Sequence, residues 1–199
     1  MITNLPNLLT LSRILAIPAL VAAFYLPPIW SHWTTFLLFS AAATTDYFDG
    51  YLARSMGLTS ALGRFLDPIA DKLLVVVTIV MLVAVDRVQD WHILPALIIL
   101  CREIVISGLR EFLAELRVSV PVSYLAKWKT TVQIIALGAL LLDGGALAQL
   151  RPDLVGMILL WIAAGLTLVT GYDYLRVGLR HMTEMPADRP AAPGAGRGD

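Results

Sequence analysis

Apolar residues gather into six long runs along this chain, at about residues 8–27, 32–53, 66–85, 92–113, 128–148 and 154–175. Each run is close to the ~20 residues a helix needs to cross the hydrocarbon of a bilayer. The pattern therefore predicts six transmembrane helices. The connectors are short and carry turn residues: Pro27-Pro28, the run from Ser55 to Gly63, Asp86 to Asp90, Arg117 to Pro121, and Asp143-Gly144-Gly145. There is no internal repeat and no pair of broken helices of the transporter kind. The first run is too long for a cleavable signal peptide and lacks a basic leader. Residues 1–180 are expected to form an all-α, polytopic membrane domain and 181–199 a disordered cytoplasmic tail, rich in Pro, Gly and Ala from Pro186 onward.

Composition agrees with this reading. The chain is 58% apolar and 15% charged with a mean hydropathy of +0.75, whereas a soluble domain runs roughly 45–50% and about 25%. Lys and Arg number 15, as do Asp and Glu, so no net positive field exists to attract nucleic acid. The single cysteine, Cys101, excludes an intramolecular disulfide and a cysteine-based zinc site and reads as a packing residue. Arg54, Arg64, Arg110, Arg117, Lys127, Lys129, Arg176 and Arg180 follow spans two, four and six, against only Arg87 and Arg151 on the other side. The positive-inside rule then puts both termini in the cytoplasm. Trp30, Trp33, Trp91 and Trp128 fall at span ends, as interfacial aromatics do, and the three histidines show no ligand spacing.

Ionisable residues inside spans are costly, about 2.5–3.5 kcal/mol each at the bilayer centre on insertion scales, and are functional suspects for that reason. Here they cluster. Asp46 and Asp49 end span two, Asp67, Asp71 and Lys72 open span three, and Arg102 and Glu103 lie in span four. At about 100° per residue, Asp46, Asp49, Gly50 and Ala53 share one stripe of their helix. Gly63, Asp67 and Asp71 follow at i, i+4 and i+8 on the next, although Pro68 favours a helix start near Asp67 that would leave Gly63 in the preceding turn. Four carboxylates at one depth need a counter-charge. Oxygen ligands without His or Cys suit a hard divalent cation, Mg²⁺ or Mn²⁺, and four negative charges suit two such ions. A metal pair serves in-line displacement at phosphorus, and Arg54 is placed to meet a phosphate.

Read together, Asp46-x2-Asp49-Gly50-x2-Ala53-Arg54-x8-Gly63-x3-Asp67-x3-Asp71 resembles the signature of the CDP-alcohol phosphotransferases, membrane enzymes of phospholipid synthesis. The flanks are similar to the bacterial branch of that family that forms phosphatidylglycerophosphate. They comprise Pro6-Asn7-Leu8-Leu9-Thr10 with Arg13, Asp67-Pro68-Ile69-Ala70-Asp71-Lys72, the run from Arg102 to Glu111, and Lys127-x-Lys129-Thr130-Thr131. The resemblance implies attack of the sn-1 hydroxyl of glycerol 3-phosphate on CDP-diacylglycerol, with release of CMP, at the cytoplasmic ends of the helices. It also implies roles for the signature residues. Asp46, Asp49 and Asp67 would hold one ion, Asp67 and Asp71 would help hold the second, and Asp71 would be the general base. Gly50, Ala53, Arg54 and Gly63 would line the cytidine-diphosphate pocket. A homodimer in the bacterial cytoplasmic membrane is implied as well.

The doubly negative acceptor needs cations, and Arg102, Arg110, Lys127 and Lys129 are the candidates, the arginines offering bidentate contacts that lysine cannot. Lys129 and Arg117 read equally well as positive-inside anchors, whereas Arg102, and similarly Arg13, lies deep enough to favour a functional role or an ion pair with a carboxylate such as Glu103. Other acceptors within the family (inositol phosphate, serine, phosphatidylglycerol) are the nearest alternatives. A polyprenyl-transferring enzyme would show two aspartate motifs far apart in sequence. A cation transporter would place acids at mid-depth in the later spans, and this chain does not.

Overall fold

In the computed structural model, residues 5–56, 61–115, 124–143 and 148–184 are described; the side chains of 5–9, 46–56, 61–65, Asp67, Glu115, Tyr124, 126–127, Ala148 and 181–184 lie outside that description. Six α-helices follow in order: α1 (Leu5–Ala23), α2 (Pro28–Met56), α3 (Ala61–Ala84), α4 (Ile93–Glu115), α5 (Tyr124–Leu141) and α6 (Pro152–Glu184). Among the described residues there is no strand. The most extensive interfaces are α5 along α6, α1 against α2 and α3, and α4 against α6.

The helix boundaries follow local chemistry. Pro28 opens α2, where its missing N–H leaves no bond unmade. Asp86, at φ 60, terminates α3, and the Arg87 N–H then donates back to the Leu82 carbonyl at 2.9 Å. That left-handed position usually holds glycine, and aspartate is among the residues that tolerate it. Arg151, at φ 48, precedes α6, which starts on Pro152.

Most boundaries shift by a few residues from the apolar runs, and three of the shifts change the reading. α3 starts at Ala61 and carries Pro68 inside it, so Gly63 is helical rather than part of a turn. Proline removes one backbone bond, to the carbonyl four residues earlier, and the apolar turns that follow Lys72 carry the helix regardless. α5 ends at Leu141 rather than near 148, because the turn at Leu142 and Asp143 stops it. α6 runs on to Glu184, so the expected tail boundary at 180 falls inside a helix.

The distribution of side chains is that of a membrane protein. Outward faces are greasy: Leu15, Leu37, Ile104, Ile135, Ile158, Leu168 and Leu179 are all exposed. Thr35, Thr78 and Thr170 are instead buried. Their hydroxyls donate to carbonyls four residues back, to Ser31 at 2.6 Å, Leu74 at 2.7 Å and Leu166 at 2.8 Å. A polar group satisfied within its own helix can sit inside a bundle at little cost. Among the described residues two segments, Asp90–Ala114 and Pro152–Arg180, are long and apolar enough to cross a membrane, and Thr10–Ala23 and Trp128–Leu141 are shorter apolar helices. Cys101 is exposed rather than packed, because it shares the outward side of α4 with Leu97, Ile104 and Val105.

The buried core joins Leu137, Leu140 and Leu141 of α5 to Leu160, Ala163 and Ala164 of α6, with Leu20, Phe39, Leu82 and Ile99 from the other helices. Close approach of α5 and α6 requires Gly156, where a Cβ would lie 2.7 Å from Leu140 Cγ.

Candidate active site

A cavity of about 510 Å³ opens between α3, α4, α5 and α6, within the size range of small-molecule sites. Asp71 and Lys72 come to it from the first half of α3, Arg102, Glu103, Ser107 and Arg110 from the middle of α4 onward, Lys129 and Gln133 from α5, and Tyr174 from α6. The structure thus brings together four residues given a catalytic or binding role from the sequence, Asp71, Arg102, Arg110 and Lys129, with the charged Lys72 and Glu103 beside them.

Glu103 is the hub. Its Oε1 accepts a hydrogen bond from Lys129 Nζ, and the same oxygen lies 3.3 Å from Arg102 Nη1. Two cations therefore converge on one carboxylate oxygen. Lys129 is 4% exposed, so it is an interior group and not a membrane-surface anchor. A lysine at a helix end would extend to water if anchoring were its role, and the pairing with Glu103 explains why it does not. Arg102 keeps a buried Nε with no hydrogen-bond partner, leaving donor capacity at the cavity wall. It lies across Gly171 of α6, where a Cβ would meet Arg102 Cγ at 3.2 Å. Lys72 Nζ donates to Ser107 Oγ, tying α3 to α4. Arg13, on α1, is almost fully buried, as expected of a group placed there for more than anchoring.

Asp46, Asp49, Gly50, Ala53 and Arg54 belong to the last turns of α2, and Gly63 and Asp67 to the first turns of α3. Lys127 belongs to the first turn of α5. The side chains of these eight residues lie outside the described set, and Arg117 lies outside it entirely. Their helical backbone preserves the spacing noted above: Gly63, Asp67 and Asp71 recur every four residues of α3, and Asp71, the last of them, reaches the cavity. Among the described residues no three His, Cys, Asp or Glu side chains gather. The donor set suited to a hard divalent ion is acidic and oxygen-only, and its one described member, Asp71, is exposed to the cavity and accessible to such an ion.

Gln133, Ser107 and Tyr174 were not legible as site residues. Gln133 had the plainest signal, a lone amide in an apolar helix four positions after Lys129.

Comparison with known proteins shows the family. Residues 3–169 match the family model described as CDP-alcohol phosphatidyltransferase. A CDP-diacylglycerol–glycerol-3-phosphate 3-phosphatidyltransferase of Rickettsia felis is 49% identical over 173 residues, covering 87% of this chain and 94% of the relative. Proteins of the same name from Shigella flexneri and Cereibacter sphaeroides are 45% identical over 179 residues (86% of this chain, 93% of the relative) and 38% over 216 (91% and 98%). With a matched region that takes in both halves of the aspartate signature and the cavity residues of α3, α4 and α5, the chain belongs to the CDP-alcohol phosphatidyltransferase family.

Proposed function

We propose that this protein transfers the phosphatidyl group of CDP-diacylglycerol to the sn-1 hydroxyl of glycerol 3-phosphate, giving phosphatidylglycerophosphate and CMP. The observation that carries the reading is the convergence of Asp71, Arg102 and Lys129 on one cavity, in a chain whose relatives bear the name of that reaction. The dianionic acceptor matches a wall where Lys129 and Arg102 already lean on a carboxylate. Arg110, nearer the end of α4, offers a further guanidinium.

In the reaction, the acceptor hydroxyl oxygen forms a bond to the phosphorus next to diacylglycerol, and the bond from that phosphorus to the CMP oxygen breaks. Asp71, on the cavity wall, takes the hydroxyl proton. A carboxylate is a weak base toward an alcohol, and it suffices when the proton leaves late in the displacement. Asp46, Asp49 and Asp67, with Asp71, are the residues that would hold two Mg²⁺ or Mn²⁺ ions. When bound, such ions neutralise the charge that develops on the departing CMP. Gly50, Ala53, Arg54 and Gly63 would take the cytidine diphosphate. Lys127, at the start of α5, would add positive charge for the acceptor.

The same reading places the chain in the bacterial cytoplasmic membrane, crossing six times, with both termini and the cavity on the cytoplasmic side and two copies per assembly. The asymmetry of basic residues and the greasy outer faces support that topology. The test is an acceptor panel: purified protein in lipid with CDP-diacylglycerol, scored by CMP release. Glycerol 3-phosphate should drive release, with inositol phosphate, serine and phosphatidylglycerol at background. Preference for one of those would replace the assignment.

A further inference from the structure

One polar group in the cavity has no part in the reaction as described. Gln133 lies on α5 one turn after Lys129, is 3% exposed and lines the cavity, and its Oε1 is buried with no hydrogen-bond partner. A buried carbonyl oxygen left unpaired is costly, and an apolar side chain of similar volume would avoid the cost. Gln133 is therefore suited to something that enters the cavity.

Its chemistry restricts what that is. An amide oxygen only accepts hydrogen bonds, so it is the wrong group for a phosphate and the right one for a neutral hydroxyl. Glycerol 3-phosphate has two hydroxyls, of which one reacts. Its phosphate suits Lys129 and Arg102, and its primary hydroxyl belongs near Asp71. The secondary hydroxyl lies between them in the molecule and still needs an acceptor. Lys129 and Gln133 are four residues apart, about 6 Å along the helix, near enough for one small polyol phosphate to touch both. We infer that Gln133 Oε1 accepts a hydrogen bond from the non-reacting secondary hydroxyl of the acceptor, and so selects a polyol phosphate over a simple alkyl phosphate. This rests on the reaction proposed above.

The test compares glycerol 3-phosphate with 3-hydroxypropyl phosphate, which keeps the phosphate and the primary hydroxyl and lacks the secondary one. The readout is kcat/KM for CMP release by wild type, Gln133→Leu, Gln133→Met and Gln133→Glu. Wild type should prefer glycerol 3-phosphate by about tenfold to a hundredfold, the effect of leaving one buried neutral acceptor unpaired. The Leu and Met variants should lose that preference by slowing only with glycerol 3-phosphate. Gln133→Glu keeps an acceptor oxygen and should retain the preference while raising KM for both phosphates by repulsion. The inference is overturned if wild type uses both acceptors equally, or if the Leu and Met variants slow both in parallel. It is also overturned if the loss appears instead when the CDP-lipid carries a 2′-deoxyribose. Wild type that is inert with glycerol 3-phosphate but active with another alcohol would overturn the proposed reaction and this inference together, a result distinct from the others.

Discussion

The two ends of the bundle use cations drawn into the protein in opposite ways. At the end where α1, α3 and α5 finish, the guanidinium of Arg87 donates to the Leu141 carbonyl at 2.8 Å and to that of Leu140 at 3.5 Å, and sits 5.7 Å from the centre of the Phe24 ring. Burial draws its pKa below the ordinary guanidinium value, and Asp143 opposes that shift. This arginine caps the last turn of α5, and its hydrogen bonds are made to the chain itself. At the cavity end, Lys129 and Arg102 share one oxygen of Glu103, and Arg102 retains an unused buried donor. The structural cation is spent on carbonyls of the protein. The cations of a binding site are left with capacity for a ligand.

That contrast can be broken from either end. The largest effect should come from Asp71→Asn, which removes the base while keeping size and hydrogen bonding. Turnover should fall about 10²–10⁴-fold, with the protein still folded and inserted. Near-normal turnover would remove Asp71 from the chemistry. Arg102→Ala should raise KM for glycerol 3-phosphate by roughly 10- to 150-fold, the equivalent of a charged hydrogen bond worth about 1.5–3 kcal/mol. KM for CDP-diacylglycerol should change far less. An equal rise in both would mean that Arg102 supports the cavity generally.

The matching change at the other end is Arg87→Leu. It should leave both Michaelis constants alone and cost about 1–3 kcal/mol of stability, the penalty for stripping a buried carbonyl of its donor. Thermal inactivation in detergent would show it as a lower midpoint at unchanged specific activity. The smallest effect is expected from Gly171→Ala. Its methyl would press on the Arg102 side chain, at a spacing that asks the neighbour to give by a few tenths of an ångström. KM for glycerol 3-phosphate should rise a few-fold with kcat preserved.

Helix count and order were legible because six apolar runs separated by turn residues have few other solutions. Boundaries were less so. Pro68 reads as a helix start, yet the aliphatic run that follows it is strong enough to continue a helix begun at Ala61. The end of α6 was hidden because charged residues from Arg176 onward look like a tail, whereas the helix carries them to Glu184.

The site was legible in its charges. Arg102 and Glu103 lie too far inside an apolar run to be incidental, and the Arg102–Glu103 pairing expected from adjacency is present, whereas Lys129, at the start of its run, reads equally well as an anchor. Tertiary partners were not legible. Nothing local says that Lys129 turns inward to Glu103, 26 positions earlier, or that Lys72 meets Ser107. A neutral amide such as Gln133 carries no charge to mark it, and its place in an apolar helix one turn after Lys129 gains meaning only from the enclosing cavity.

The central claim is that acidic groups of α2 and α3 and cations of α4 and α5 serve one displacement at phosphorus. The most direct measurement is CMP release from CDP-diacylglycerol by purified protein, with and without glycerol 3-phosphate, in Mg²⁺ and again after addition of excess chelator. Release that requires both the acceptor and the divalent ion, is restored by adding Mg²⁺ back, and disappears in Asp67→Asn is the predicted result. Full turnover in chelator, or in the Asp67→Asn protein, would contradict it.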